Sequence, residues 1–157
     1  MRPALSHAKY ALKFRILRLI GSKKDIGGVR VILIRAGRVV LVRHWLSREV
    51  WTLPGGGINS TETPTEAAIR EVDEEVGYKI NSFGGELGIY RGRMGQKDSV
   101  LVLFTDDFEG GMKWLPNVEI MERGLFGFDE LPESLSPANR RRLESYARGV
   151  RRERRPW

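Results

Sequence analysis

Three glutamates, Glu71, Glu74 and Glu75, follow one another at the i, i+3 and i+4 spacing of one helical face. Residues at this spacing lie about 5–6 Å apart at Cβ. Two carboxylates 4 Å apart repel each other by up to about 4 kcal/mol at an effective dielectric near 20. A helix that served only as a scaffold would gain stability from a lysine or glutamine at one position. Divalent cations, which take oxygen ligands, turn the repulsion into binding, so the spacing predicts a metal site.

A short strand and a glycine turn come directly before these glutamates. Val50–Leu53 is predicted to be the strand, and Pro54 ends it because proline cannot donate to a ladder. Gly55, Gly56 and Gly57 then allow the backbone to approach a ligand closely. We therefore expect backbone carbonyls of this loop to face the same cation.

A capped helix is predicted to carry the glutamates. Thr63-Pro64-Thr65-Glu66 matches a capping box with proline at the first helical position, and Gly77 suits the residue after the last turn. The helix should run from about Pro64 to Val76. Its apolar stripe should be buried and its glutamates should project from the other side. The stripe consists of Ala68, Ile69, Val72 and Val76.

The segment from Gly56 to Tyr78 resembles the signature of the Nudix hydrolases, G-x5-E-x7-R-E-U-x-E-E-x-G-U, where U is a bulky aliphatic residue. Tyr78 is the single departure, and we expect it to alter packing. The matching residues are Gly56, Glu62, Arg70, Glu71, Val72, Glu74, Glu75 and Gly77. The resemblance implies hydrolysis, with Mg²⁺ or Mn²⁺, of a diphosphate linkage in a nucleoside diphosphate linked to another moiety.

The resemblance also implies roles for single residues. Glu71, Glu74 and Glu75 would be metal ligands, helped by a backbone carbonyl of Gly55 or Gly56. Arg70 would pair with a neighbouring glutamate and hold it in place, and Glu62 would support the loop. The alternative for Arg70 is a surface pair with Glu66 or Glu74, worth only a few tenths of a kcal/mol.

The general base is open between three glutamates. Glu119 lies in Val118–Glu122, which precedes Leu125–Pro132, and this passage resembles one near the C-terminal end of Nudix domains. We expect Glu119 to be the base or a further metal ligand, with Glu122 and Glu71 as alternatives. The other interpretation is that Glu119 only caps a loop.

Three residues are candidate substrate contacts. Arg30 interrupts an apolar strand, where an unpaired charge would be costly, so it either pairs with an acid or faces the substrate. Arg43 and His44 end the next strand, where His44 could contact a base or phosphate, although a lone histidine is more often structural. Trp51 is predicted to pack in the core.

The remaining pattern indicates an α/β chain with two flanking helices, and the resemblance implies a Nudix-type α/β/α sandwich with a mixed β-sheet. We expect an extra basic amphipathic helix within residues 1–24, a Nudix domain over 25–150 and a basic tail over 151–157. The predicted strands are Val29–Ile34, Arg38–Trp45, Gly84–Tyr90 and Ser99–Thr105. The predicted flanking helices are Pro64–Val76 and Pro137–Arg148, and the extra helix is expected over Leu5–Leu19.

Composition fits one ordinary globular domain, with 157 residues, 41% of them hydrophobic and 30% charged. The absence of cysteine excludes disulfides and thiolate metal sites. Lys9, Lys13, Arg15 and Arg18 interrupt the first apolar run, which argues against a signal peptide and a membrane span. We therefore expect a cytoplasmic protein.

Positive charge is concentrated at both ends of the chain. Residues 1–28 hold seven Lys or Arg against one acid, and residues 137–157 hold eight Arg against two Glu. These ends are either solvated surfaces or contacts for polyphosphate substrates, RNA or an anionic membrane. The first helix could also pack between subunits of a homodimer.

Three functions stay open: a nucleotide hydrolase, a nucleotide-sensing module without turnover, and an RNA 5′-end pyrophosphohydrolase.

Overall fold

A mixed β-sheet forms the centre of the computed structural model, which describes residues 26–92, 95–111 and 113–157. The helix predicted within residues 1–24 lies outside the described residues. The strands are β1 (Gly28–Arg35), β2 (Arg38–His44), β3 (Trp51–Thr52), β4 (Tyr78–Ile80), β5 (Gly85–Gly92), β6 (Gly95–Thr105), β7 (Phe108–Gly110), β8 (Ile120–Gly127) and β9 (Glu153–Pro156). The helices are α1 (Pro64–Val76) and α2 (Pro137–Ala147), and Trp45–Ser47 form a 3₁₀ turn.

The strand order places β1 and β6 side by side in the middle of the sheet. The order is β3-β2-β1-β6-β5-β9, and β8 also pairs with β2. β1 runs parallel to β6 and antiparallel to β2. β4 and β7 form a separate two-stranded sheet. The sheet is thus mixed, as predicted, and its central strands are nearly continuous runs of apolar residues because both faces are covered.

One helix covers each face of the sheet. Buried residues of α1 pack with Val29, Val31 and Val40 in one core cluster. Leu143 of α2 packs with Ile32 and Leu41 in a second cluster. Successive strand residues point to opposite faces, so neighbouring residues of β1 enter different clusters. This arrangement confirms the predicted α/β/α sandwich.

The capping signals predicted both ends of α1. Thr63 Oγ1 accepts from the Glu66 N–H at 3.2 Å, and Glu66 Oε2 accepts from the Thr63 N–H at 2.7 Å. The stripe prediction was wrong at one position, because Ile69 is 40% exposed whereas Ala67 is fully buried. The face of the helix that packs on the sheet therefore includes Ala67 and leaves Ile69 partly exposed.

The last residues of the chain belong to the sheet. We predicted a basic tail over 151–157, but Glu153–Pro156 form β9 and pair in parallel with β5. The ring of Trp157 lies 6.1 Å from that of Tyr90. Charged residues and proline are common on edge strands, where they discourage pairing with other chains, so this charged strand was missed.

Tyr78, the departure from the Nudix signature, is 2% exposed and lies in the core beside α1. The guanidinium groups of Arg35 and Arg123 each lie 4.7 Å from the centre of its ring. Its effect is therefore on packing, as expected. No helix among the described residues has the length and apolar character needed to cross a bilayer.

Candidate metal and active site

The glycine loop is fixed to the first residues of β1. The N–H groups of Val29 and Val31 donate to the carbonyls of Gly56 and Pro54, each at 2.9 Å. Gly55 has a φ of +137°, and a Cβ there would lie 2.2 Å from the Val29 carbonyl oxygen. Only glycine fits this position. The loop thus brings the Gly55 backbone against the neighbouring helix.

We predicted that the glutamates of α1 project from the side opposite the apolar stripe, but two of the three do not. Glu71 and Glu75 are 4% and 1% exposed, and their side chains lie on the buried side of the helix next to Ala67. Glu74 is 57% exposed. The apolar face of the helix is wide enough to include positions 71 and 75 at its border, which the four-residue stripe did not reveal.

Glu75 has one bonded and one unbonded carboxylate oxygen. Oε2 accepts from the Gly55 N–H at 2.8 Å. Among the described residues, no group donates to the buried Oε1. Burial, followed by the charge of Glu71, holds the pKa of Glu75 well above its ordinary value. An anionic oxygen buried without a partner is costly, and a cation would supply the missing contact.

Glu71 is confined between the glycine loop and Arg70. A Cβ at Gly56 would lie 2.6 Å from the Glu71 carboxyl carbon, so the loop approaches this side chain closely. On the other side, Arg70 Nη1 donates to Glu71 Oε1 at 2.8 Å. Burial raises the pKa of Glu71, and the hydrogen bond from Arg70 opposes that shift.

Arg70 connects the helix to the loop through several acceptors. It donates to both oxygens of Glu62 at 2.6 and 3.0 Å, to the Gly57 carbonyl at 3.1 Å and to Glu74 at 3.3 Å. Glu62 in turn accepts from the Asn59 N–H at 2.7 Å. The hydrogen bond to Glu62 is the main reason that the pKa of Arg70 is raised. This network exceeds the simple surface pair that was the alternative interpretation.

Glu119 lies beside the buried glutamates, where the sequence placed its candidate base. The atoms able to bind a metal in Glu119, Glu75 and His44 all lie within 4.8 Å of one another. Burial raises the pKa of Glu119, and the charges of Glu71 and Glu74 raise it further. Glu119 therefore belongs to the same cluster.

Asn117, a residue that the sequence analysis did not single out, holds the Glu119 loop against α1. Its Oδ1 accepts from the N–H groups of Glu119 and Ile120 at 2.9 and 2.8 Å. Its Nδ2 donates to the Glu74 carbonyl at 3.0 Å. An asparagine two residues before a candidate base suits an Asx turn, and this signal could have identified it.

His44 enters the cluster from the end of β2. Its Nε2 lies 3.7 Å from Glu75 Oε1. The pairing register of β2 with β8 shifts between Arg43 and His44, and such bulges commonly redirect a side chain next to an active site. Burial, aided by the charge of Arg30, lowers the pKa of His44 to about 4. The imidazole is therefore neutral at pH 7.

Of the candidate substrate contacts, Arg30 lies at the carboxylate cluster and Arg43 does not. Arg30 donates to the Gly55 carbonyl, and its charge acts on His44, Glu71, Glu75 and Glu119. Arg43 does not join it, because Arg43 forms an ion pair with Glu122 and stacks over Trp51 at 4.9 Å. The pair also engages Glu122, the alternative base. Trp51 packs in the core as predicted, since it is 7% exposed.

The donor set fits a divalent cation. The carboxylates of Glu75 and Glu119 converge beside Gly55, and that of Glu71 lies against the neighbouring Gly56. Such oxygen ligands suit a divalent ion. The Gly56 carbonyl is a weaker candidate, because it accepts the Val29 N–H in the loop–strand ladder. The Gly55 carbonyl accepts only a side chain, Arg30, among the described residues, and its second lone pair can face an ion.

Comparisons with known proteins identify the family. The sequence profile of one family, described as the NUDIX domain, matches residues 25–148. A Bacillus subtilis protein named as a candidate 8-oxo-dGTP diphosphatase is 26% identical over 123 residues, which are 78% of this chain and 80% of that protein.

Two further similarities are informative. An RNA pyrophosphohydrolase of Rhodospirillum rubrum is 43% identical over 60 residues, but the match covers only 38% of this chain and 36% of that protein. The crystal structure of a MutT NUDIX hydrolase from Burkholderia pseudomallei superposes with a TM-score of 0.65 at 27% identity, covering 75% of this chain and 95% of the other. The fold and the signature therefore lead to the same family.

Proposed function

The chain belongs to the Nudix hydrolase family, and we propose that it hydrolyses a diphosphate linkage in a nucleoside diphosphate linked to another moiety, with Mg²⁺ or Mn²⁺ as cofactor. Divalent metals are generally needed by hydrolases of this family. Relatives named as diphosphatases and pyrophosphohydrolases favour hydrolysis over the alternative of a module that senses nucleotides without turnover.

One observation carries the proposal: the buried carboxylate of Glu75 meets that of Glu119 next to the buried Glu71, and Glu75 Oε1 has no hydrogen-bond donor among the described residues. A protein rarely keeps an unsatisfied buried carboxylate without a functional reason. Arg30 adds a positive charge at the same place, where a phosphate group of the substrate would be attracted.

The residues divide the hydrolysis between them. When bound, a divalent cation would neutralise phosphate oxygens beside the acidic side chains. Glu119 would accept a proton from the water that attacks phosphorus, through the carboxylate oxygen that does not face the cation, while the bridging P–O bond breaks and its electrons stay on the leaving phosphate. Arg70 would keep Glu71 in place through the hydrogen bond between them. Arg30 would contact a phosphate oxygen of the substrate.

A panel of nucleoside triphosphates, dinucleoside polyphosphates and nucleotide sugars, incubated with Mg²⁺ or Mn²⁺, tests the proposal. We expect release of a nucleoside monophosphate or of pyrophosphate. The Glu75→Gln variant should lose at least about 100-fold in kcat/KM, because it removes a charged group from the centre of the site.

Glu144→Gln is the matched control, since Glu144 is an exposed glutamate on α2, on the opposite face of the sheet. Its activity should equal that of the parent. Turnover by the parent that survives in Glu75→Gln would place the active site elsewhere and refute the proposal.

A second candidate substrate is the 5′ end of RNA, favoured by the local similarity to RNA pyrophosphohydrolases and by an arginine-rich surface. Exposed arginines of the α2–β9 region would contact the phosphate backbone, whose binding is dominated by such charges. They are Arg141, Arg148, Arg151, Arg152, Arg154 and Arg155.

Substitution of three of these arginines tests the RNA candidate. Arg141→Gln, Arg148→Gln and Arg152→Asn together should weaken RNA binding and reduce the dependence of log affinity on log salt by roughly 0.7 per lost contact. Lys79→Gln, at an exposed position of β4, is the control. Equal affinity and salt dependence in the triple variant and the parent would exclude RNA as a ligand of this surface.

A further inference from the structure

His44 stands where the metal-binding atoms of Glu75 and Glu119 converge, although histidine has no place in the signature from Gly56 to Tyr78. Among the described residues, this trio is a group whose candidate ligand atoms all lie within 4.8 Å of one another. Two ligands about 2.1 Å from a common ion are separated by about 3 to 4 Å. Small side-chain rotations would therefore bring all three onto one ion.

We propose that His44 Nε2 is a metal ligand, together with Glu75 Oε1 and Glu119, and that this nitrogen makes the site prefer Mn²⁺ or Co²⁺ to Mg²⁺. The inference rests on the proposed function for the presence of a metal, and it adds the ligand and the preference.

The unsatisfied oxygen of Glu75 is the independent observation behind this assignment. Glu75 is 1% exposed, and its Oε1 lacks a hydrogen-bond donor among the described residues. His44 Nε2 lies 3.7 Å away, which is too far for a hydrogen bond but within the separation expected for two ligands of one ion. A cation held by both atoms would supply the contact that Oε1 lacks.

The backbone directs His44 to this place. A shift in the β2–β8 register occurs at His44. The next residue, Trp45, is fixed by two hydrogen bonds. Its backbone N–H donates to the Glu119 carbonyl at 3.1 Å, and its indole Nε1 donates to the Asn117 carbonyl at 2.9 Å. These bonds tie the end of β2 to the loop that carries Glu119, so His44 and Glu119 keep a fixed relation.

The chemistry of the donor atoms sets the preference. Mg²⁺ binds through oxygen and retains its waters, whereas imidazole nitrogen suits first-row transition metals, whose affinity rises along the series from Mn²⁺ to Co²⁺. Replacing one oxygen ligand by His44 nitrogen therefore favours these ions. The site would still accept Mg²⁺ through its carboxylates, more weakly.

Electron spin echo spectroscopy of Mn²⁺ bound to the untagged full-length protein tests the ligand directly, without measuring activity. We expect modulation from imidazole nitrogen in the parent and its loss in His44→Gln. The control is His7→Gln, because His7 is the only other histidine of the chain; this variant should keep the modulation. Modulation that is absent from the parent, or that is retained in His44→Gln, overturns the proposal.

Calorimetric titration with each metal tests the preference. His44→Gln should weaken Mn²⁺ and Co²⁺ binding about 10- to 100-fold and Mg²⁺ binding less than about threefold. An equal effect on all three ions overturns the proposal. Nitrogen coupling without any hydrolysis of the substrate panel would refute the proposed function and leave the ligand in place. Hydrolysis with no nitrogen coupling would do the reverse.

Discussion

Glu75 shows, at the scale of one residue, how a binding group weakens the metal-free protein. Its pKa is raised well above the ordinary value by burial and by the charge of Glu71. The folded protein therefore holds more protons than the unfolded chain between the unfolded pKa, about 4.3, and the raised folded pKa. By linkage, Glu75 lowers stability as pH rises through this window.

We expect Glu75→Gln to melt at a higher temperature than the parent in EDTA at pH 8, because the neutral amide removes the buried charge. A gain of about 1–3 kcal/mol corresponds to roughly 2–12 °C for a chain of this size. The difference should shrink toward pH 4, where Glu75 itself is protonated. Thermal melting by circular dichroism across pH measures it.

Glu144→Gln is the control for this comparison, because Glu144 is an exposed glutamate on α2, on the opposite face of the sheet from the carboxylate cluster. Its melting temperature should stay near that of the parent at every pH. A Glu75→Gln protein no more stable than the parent at pH 8 would contradict the linkage.

Gly56 and Gly57 provide a second comparison at this scale. A Cβ at Gly56 would meet the Glu71 carboxylate at 2.6–2.8 Å, whereas a Cβ at Gly57 would meet nothing within 4 Å. Gly56→Ala should therefore displace Glu71 and reduce kcat/KM about 100-fold or more, while Gly57→Ala stays within about threefold. Steady-state kinetics distinguish the two, and equal activities would show that Glu71 need not stay in place.

At the scale of elements, the site depends on how the loop before β8 is positioned against α1. Asn117 fixes that position, since it bonds both to the Glu74 carbonyl and to the N–H groups of Glu119 and Ile120. Trp114 adds a second link, because its Nε1 donates to the Glu75 carbonyl at 2.9 Å. The loop is thus tied to the helix that carries the other glutamates.

Asn117→Ala should lower kcat about 10- to 100-fold with little change in KM, because Glu119 loses its fixed position while the other residues stay in place. Asn117→Asp keeps the acceptor for Glu119 and Ile120, so it should recover a large part of kcat. Kinetics on the best substrate of the panel measure both variants. An alanine variant with the kcat of the parent would show that the loop is positioned by other contacts.

The elements also show what the sequence could predict. The bounds of α1 followed from its cap and from the proline and glycine at its ends, which are local signals. β8 was missed because Glu122 and Arg123 interrupt its apolar pattern. Glu122 pairs with Arg43, and Arg123 donates to the carbonyls of Val76 and Gly111, partners that the local sequence does not reveal. The burial of Glu71 and Glu75 was missed for the same reason, since it depends on the loop that packs over them.

At the scale of the whole molecule, the C-terminal residues complete the second core. Tyr90 Oη donates to Glu153 Oε2 at 2.9 Å, and Arg142 lies between two rings, 3.7 Å from the centre of Tyr90 and 5.7 Å from that of Trp157. The basic end of the chain is therefore structural as well as charged. Removing it to test RNA binding would disturb the fold, which is why substitution of exposed arginines is preferable to truncation.

A chain that ends at Arg152 should lose about 2–4 kcal/mol of unfolding free energy, because Tyr90 and Arg142 lose their cover and β5 loses its edge partner. Urea denaturation measures the loss. The pair Arg154→Gln and Arg155→Gln keeps the strand and should stay within about 1 kcal/mol of the parent. A truncated chain as stable as the parent would show that β9 adds nothing to the core.

The two guanidinium groups over the Tyr78 ring have a consequence for evolution. An aromatic ring attracts cations through its face, and an aliphatic side chain does not. Residues at positions 35, 78 and 123 should therefore covary among homologous sequences. Among relatives with isoleucine, leucine or valine at this site, arginine should be rarer at the positions of Arg35 and Arg123 than among relatives with tyrosine, and an aligned set of homologous sequences would reveal whether the trio covaries.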